Sequence, residues 1–105
     1  MIKSTNYLTI QGWMVTELGL KGNELLVYAI IYGFSQDEDQ VFSGSRRYIA
    51  EWLNVDVKSV GRILKSLTEK EFIHKGTKVI NDVTFCEYWV NPRMIPRLEN
   101  PKNNF

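Results

Sequence analysis

At 105 residues, 44% hydrophobic and 24% charged, the chain has the composition of a globular protein and the length of one domain with a single modest core. Its longest apolar run, residues 25–31, is far too short for a bilayer, and no cationic segment leads into an apolar run and a cleavage site at the N-terminus, so no membrane role is expected. Cys86 is the only cysteine, so no internal disulfide can form, and a reducing cytoplasm is the expected setting.

In chain order, Tyr7-Leu8-Thr9-Ile10 and Trp13-Met14-Val15 are β-branched or aromatic runs parted by Gln11-Gly12. They predict a short N-terminal strand or hairpin. Gly19 and Gly22 bracket a turn. Asn23 is placed to cap a helix that carries Glu24 in its first turn and ends near Gly33. That helix is apolar nearly all round and must be covered on more than one side. The N-terminal strand, the C-terminal tail or a partner subunit would each serve. Residues 35–40 read as a polar, acidic loop, and Val41-Phe42 as a short strand.

Ser45 is a natural N-cap for a helix over 46–53, whose Ile49, Trp52 and Leu53 share one stripe. After the turn Asn54-Val55-Asp56, Asp56 caps a helix from Val57 to about Lys70. Its expected buried seam is Val57, Val60, Leu64 and Leu67, with Ile63 beside it. The period then changes. Two β-rich runs, 72–80 and 83–90, meet at Asn81-Asp82, residues that tolerate the positive φ of a two-residue hairpin turn. Gly76 marks an expected bend or bulge. Pro92, Pro96 and Pro101 discourage regular structure beyond Val90. The expected organisation is a domain over 1–90 and a Pro/Asn-rich tail or linker over 91–105.

This order predicts an α+β fold, a winged helix-turn-helix: a three-helix core, a C-terminal β-hairpin wing and a short N-terminal strand. Such a fold puts its second reading-head helix, here 57–70, into the DNA major groove. The charge agrees. The net of +1 hides an uneven division, with eight cations against four acids over 45–78 (+4) and two against five over 1–44 (−3). Local asymmetry of this kind is what polyanion binding uses, although a solvated helical face has the same composition.

Burying the apolar seam of helix 57–70 turns Lys58, Ser59, Gly61, Arg62, Lys65, Ser66 and Glu69 outward. Arg62 is the base-reading candidate, because a guanidinium donates two hydrogen bonds to guanine O6 and N7. Lys58 and Ser59 lie at the end that enters the groove first. Lys65 is placed for phosphate. Gly61 either lets DNA approach closely or relieves a helix crossing. Ser43, Ser45, Arg46 and Arg47 surround a helix N-terminus, whose free N–H groups suit a phosphate. Ser45 has capping as its ordinary role, and one of the two arginines is expected to pair with an acidic neighbour. Lys75 and Lys78, with Asn81 at the tip, would let the wing brace the backbone.

Little else in the chain suggests chemistry. His74 reads as a packing residue and Cys86 as core, and they offer no metal-ligand spacing. Asp37-Glu38-Asp39 lacks the spacing of a calcium loop and reads as solvated. Trp13, Trp52 and Trp89 read as core aromatics, with Trp13 or Trp89 alternatively at an interface. No triad or phosphate-cradling loop is legible, so neither catalysis nor a cofactor is expected.

The runs Gln11-Gly12-Trp13-Met14-Val15, Leu18-Gly19-Leu20-Lys21-Gly22-Asn23-Glu24-Leu25-Leu26-Val27-Tyr28-Ala29 and Phe42-Ser43-Gly44-Ser45-Arg46-Arg47-Tyr48 are similar to the N-terminal winged-helix domain of replication-initiator (replisome-organiser) proteins of phages and other mobile elements of Gram-positive bacteria. The resemblance covers about residues 7–90. It implies origin recognition, with double-stranded DNA and replication proteins as partners. Members of that family often continue into a further domain, so the tail is expected to be a linker or the end of a stand-alone version. The residues alone equally allow a small transcriptional regulator or a winged-helix protein-interaction module. A homodimer would widen the set of bases read.

Overall fold

A computed structural model describes residues 2–36 and 41–96. The elements are α1 (Gly12–Thr16), α2 (Gly22–Ser35), α3 (Arg46–Leu53), α4 (Val57–Glu69), β1 (Ile73–Ile80), β2 (Val83–Val90) and a 3-10 turn over Pro92–Met94. The acidic loop at 37–40 and the tail from residue 97 lie outside the described residues.

α2 is the axis of the core. It buries Val27, Tyr28, Ala29, Ile30 and Ile31, a run too wide for one stripe. α1, α3, α4 and β2 all pack against it. The cover for the all-apolar helix therefore comes from within the domain. Tyr28 stands edge-on to both Trp13 and Phe72, so the axis ties α1 to the start of the wing.

The expected N-terminal strand is not formed. Residues 7–10 make no strand pairing among the described residues, and 12–16 make a short helix. The cause lies in burial. Adjacent residues of a strand point to opposite faces, yet Trp13 and Met14 are both buried. A helical turn turns both toward α2. Gly19, at φ +66, then reverses the chain, and the Leu20 N–H donates to the Met14 carbonyl at 3.1 Å. Here the positive φ is what makes glycine necessary.

α2 begins before Asn23, which does not cap it, and runs past Gly33 to Ser35. The Ser35 hydroxyl donates to the Ile31 carbonyl at 2.8 Å and accepts from the Val90 N–H at 3.2 Å. Glu24 serves a tertiary contact. Its carboxylate accepts from the Ser66 hydroxyl at 2.6 Å and from Lys70 Nζ at 3.0 Å, binding α2 to α4.

The Ser66 hydrogen bond and, after it, Lys70 hold the Glu24 carboxyl below the ordinary value of 4.5, against some burial. A depressed folded pKa stabilises above the unfolded value, and that contribution is lost as pH falls through the folded one. Glu24→Gln is therefore expected to flatten the stability curve below about pH 4.5 and lower the plateau above it. Urea midpoints measured from pH 3 to 7 check this, and parallel acid limbs would deny the carboxylate any share.

Two of the three predicted caps are in place. The Ser45 hydroxyl accepts from the Tyr48 N–H at 3.3 Å, and Asp56 Oδ1 accepts from the Ser59 N–H at 2.7 Å. Between α3 and α4, Asn54 takes a left-handed conformation, φ 55, which Asn tolerates better than most residues. α4 buries Val60, Leu64 and Leu67. Val57 does not join that seam. It is 42% exposed, because the residue next to the cap precedes the point where α4 crosses the core.

β1 and β2 form an antiparallel ladder from Ile73↔Val90 to Ile80↔Val83, turned by Asn81 and Asp82 at φ 51 and 65. Those are the two positive φ values of a type I′ hairpin. Gly76 makes no bulge and pairs in register with Glu87. Its missing side chain makes room for the Trp89 ring, two atoms of which would lie 3.0 Å from a Cβ there. The expected strand at Val41-Phe42 is reduced to one bridge, Phe42 to Tyr88. Cys86 lies half-buried at the rim of the core and is not one of its central residues. Past Val90, the buried Asn91 donates from Nδ2 to the Glu71 carbonyl and accepts from the Arg93 N–H, and Ile95 packs against the core.

Candidate nucleic-acid interface

α4 turns a charged face away from α2. Lys58, Arg62, Lys65 and Glu69, spaced at four, three and four residues, are all exposed, and such spacing makes one stripe. Ser59 is half-buried at the N-terminal end, and its hydroxyl accepts from Arg62 Nη2 at 3.2 Å. The Ser59 hydrogen bonds, and to a lesser degree the Arg62 guanidinium, hold the Asp56 carboxyl below its usual range. The start of α4 therefore keeps its capping charge to a lower pH than an ordinary aspartate would.

Two residues expected on this face are elsewhere. Ser66 points to Glu24 on α2. Gly61 faces α3, where a Cβ would stand 3.0 Å from Arg46 Nη1. Val57, at the helix start, is exposed by its position before the core crossing and not by its phase.

Arg46 and Arg47 are both exposed at the start of α3, and neither has an acidic partner among the described residues. Arg46 reaches toward the wing and lines a hollow with Lys65 and Lys75. Strand parity separates the two wing lysines. Lys75 lies on the face of the ribbon that carries the buried Ile73 and Tyr88. Lys78 lies on the other face, in a smaller hollow with Ser43, Ile80 and Phe85. Ser45 is occupied by capping. Of the candidates, Lys58, Ser59, Arg62 and Lys65 share α4, and Lys65 shares a hollow with Arg46 and Lys75; Ser43 and Lys78 share a second hollow, and Arg47 lines neither.

His74 packs against Trp89, ring centroids 5.9 Å apart. Asn81 serves the turn. No helix among the described residues is long and apolar enough to cross a membrane. The acidic run Asp37-Glu38-Asp39 falls outside the described residues.

Three helices with a capped turn between the last two, followed at once by an antiparallel ribbon, define a winged helix-turn-helix. The model of a helix-turn-helix domain family matches residues 18–73, over half the chain, and the chain belongs to that family. The matched segment contains α2, α3 and α4 and ends where the wing begins. Among solved structures, the chain is similar to a possible transcriptional regulator from Methanosarcina mazei Go1, with 18% identity over 89% of this chain and 74% of the other, at a TM-score of 0.52. At that identity the likeness is one of fold. No curated protein sequence matches the chain. The family supports DNA binding, since the helix-turn-helix is an arrangement that presents a helix to the major groove.

Proposed function

We propose that this protein is a non-catalytic, sequence-specific reader of double-stranded DNA that works in the reducing cytoplasm. α4 enters the major groove and the wing braces the flanking backbone. The observation that carries this reading is the exposed stripe Lys58, Arg62 and Lys65 on the second helix of the helix-turn-helix, flanked by Arg46 and Lys75. Arg62 is the base reader. In the free protein its guanidinium rests on the Ser59 hydroxyl, and a guanine edge would replace that bond with two, worth about 1–3 kcal/mol of discrimination. Lys58 and Ser59 are further base-reading residues. Ser43, Ser45, Arg46, Arg47, Lys65, Lys75 and Lys78 are the phosphate contacts of this reading.

The test is selection from a randomised duplex pool at two salt concentrations, repeated with Arg62→Ala. The wild type should recover a motif and show a steep salt dependence. Arg62→Ala should weaken binding to that motif about 5- to 150-fold, the equivalent of 1–3 kcal/mol, and barely change binding to random duplex. Equal losses on both would assign Arg62 to phosphate.

The role we favour is origin recognition in replication of a phage or mobile element, with replication proteins as partners. It rests on the resemblance of residues 7–90 to initiator domains. A transcriptional role fits the fold as well, and the similar Methanosarcina mazei Go1 protein is described as a possible transcriptional regulator. The recovered sites separate them: tandem copies favour an origin, and a single or palindromic site favours a regulator and a homodimer.

A second reading, protein interaction, is favoured by the wing tip. Val79, Ile80, Val83 and Phe85 are all exposed there, Val79 at 66%, and exposed apolar clusters mark contact surfaces. Absence of duplex binding even at low salt would transfer the proposal to that reading.

A further inference from the structure

The hollow between α4 and the wing is about 370 Å³ and has Arg46, Lys65 and Lys75 around its rim. These three cations come from three different elements. None of them has an ion pair or side-chain hydrogen bond among the described residues, and Glu69 is the one carboxylate lining the same hollow. Concentrating like charge without neutralising it is unfavourable for the protein alone, and it is how a protein prepares a place for an anion. A helix seated in the major groove has a sugar-phosphate strand on each side of it. One of those strands would pass between α4 and β1, over this hollow.

Gly61 makes the arrangement sterically feasible. It sits at the middle of α4 in ordinary helical conformation, so no positive φ calls for glycine there. A Cβ at this position would stand 3.0 Å from Arg46 Nη1 and 3.7 Å from Cζ. The absent side chain leaves the strip across α4 along which the Arg46 guanidinium lies toward Lys65 and Lys75.

We infer that Arg46, Lys65 and Lys75 form one shared seat for a single DNA phosphate, and that Gly61 is the positioning residue that lets Arg46 reach it. The inference rests on the DNA-binding reading and goes beyond it, because three separate contacts along the backbone would serve DNA binding equally well. One shared seat fixes the register of α4 against the strand at a single point. Three separate contacts would instead hold the strand at three points with one cation each.

The two arrangements differ in salt dependence. Each phosphate neutralised contributes about 0.9 to the log–log slope of affinity against salt. Arg46→Ala, Lys65→Ala and Lys75→Ala are made singly and together, and binding to a short random-sequence duplex is titrated over salt. With a shared seat, each single variant leaves the slope nearly unchanged and the triple variant lowers it by about 0.9. A triple-variant fall of about 2.7, or no fall, overturns the seat while leaving DNA binding intact. A wild-type chain that binds no duplex removes both readings together.

Gly61→Ala supplies the second measurement. In a helix interior, alanine in place of glycine raises stability, so Tm should rise while duplex affinity falls several-fold. In the Arg46→Ala background the same substitution should cost no affinity, because the group it displaces is gone. Unchanged affinity in the first case, or an equal loss in the second, overturns the role of Gly61.

Discussion

Leu67→Ala is expected to destabilise the domain by about 2–5 kcal/mol through the cavity it leaves, a Tm loss of roughly 4–8 °C per kcal/mol in a domain of this size. Leu67 is fully buried on the core side of α4. Leu64→Ala should fall toward the lower end of that range. Leu64 is almost as buried, but it also forms the floor of the hollow between α4 and the wing, so its cavity would open to solvent. Val57→Ala, three residues before the seam begins at Val60, should change stability by less than about 0.5 kcal/mol. Urea midpoints of the three variants would check the phase of α4 directly. A large loss at Val57, or less than about 1 kcal/mol at Leu67, would mean that the helix is turned about its axis from the orientation described.

The largest functional effect is expected from reversing the α4 stripe. Lys58→Glu, Arg62→Glu and Lys65→Glu combined replace three cations by three anions on the face proposed to enter the groove. Like-charge contact at an interface costs several kcal/mol, so duplex affinity should fall by about a thousandfold or more at moderate salt. All three side chains are exposed, so the fold should survive, and far-ultraviolet circular dichroism with a thermal melt would verify that. Duplex affinity within about tenfold of wild type would show that α4 presents some other surface to DNA. A retained protein partner alongside lost DNA binding would assign the interaction to the apolar wing tip.

The parts of the fold that were legible in sequence are those fixed by local chemistry. Ser45 and Asp56 cap their helices by bonding N–H groups three residues on. Asn81-Asp82 makes its turn from its own φ preferences. What sequence did not reveal depended on residues far along the chain. Residues 7–15 have strand-like composition, but the need to place both Trp13 and Met14 against α2 makes a helical turn. Ser66 falls on the polar side of α4 by pattern, and Glu24, 42 residues away, draws it inward. In sequence, Gly61 reads as a contact point or a helix crossing, and Gly76 as a bend or bulge. Each leaves space for one large side chain from another element, Arg46 and Trp89. The candidate site followed the same rule. Its members were legible one by one as exposed cations, and strand parity alone separates Lys75 from Lys78. The convergence of Arg46, Lys65 and Lys75 required the packing of α3, α4 and β1 together.

The three hydrogen bonds that close the outer side of β2 at its base bear on how the protein behaves when concentrated. An edge strand with unpaired N–H and carbonyl groups is a template for another chain. At the base of β2 that template is blocked, with Tyr88 exchanging hydrogen bonds with Phe42 and the Val90 N–H held by the Ser35 hydroxyl. Toward the tip this protection ends, in the same stretch where Val83 and Phe85 are exposed. The β2 edge is thus sealed against intermolecular strand addition at its root and open to it at its apex. Strand addition along β2 should therefore start at the wing tip, and a charged residue placed there would act as a gatekeeper.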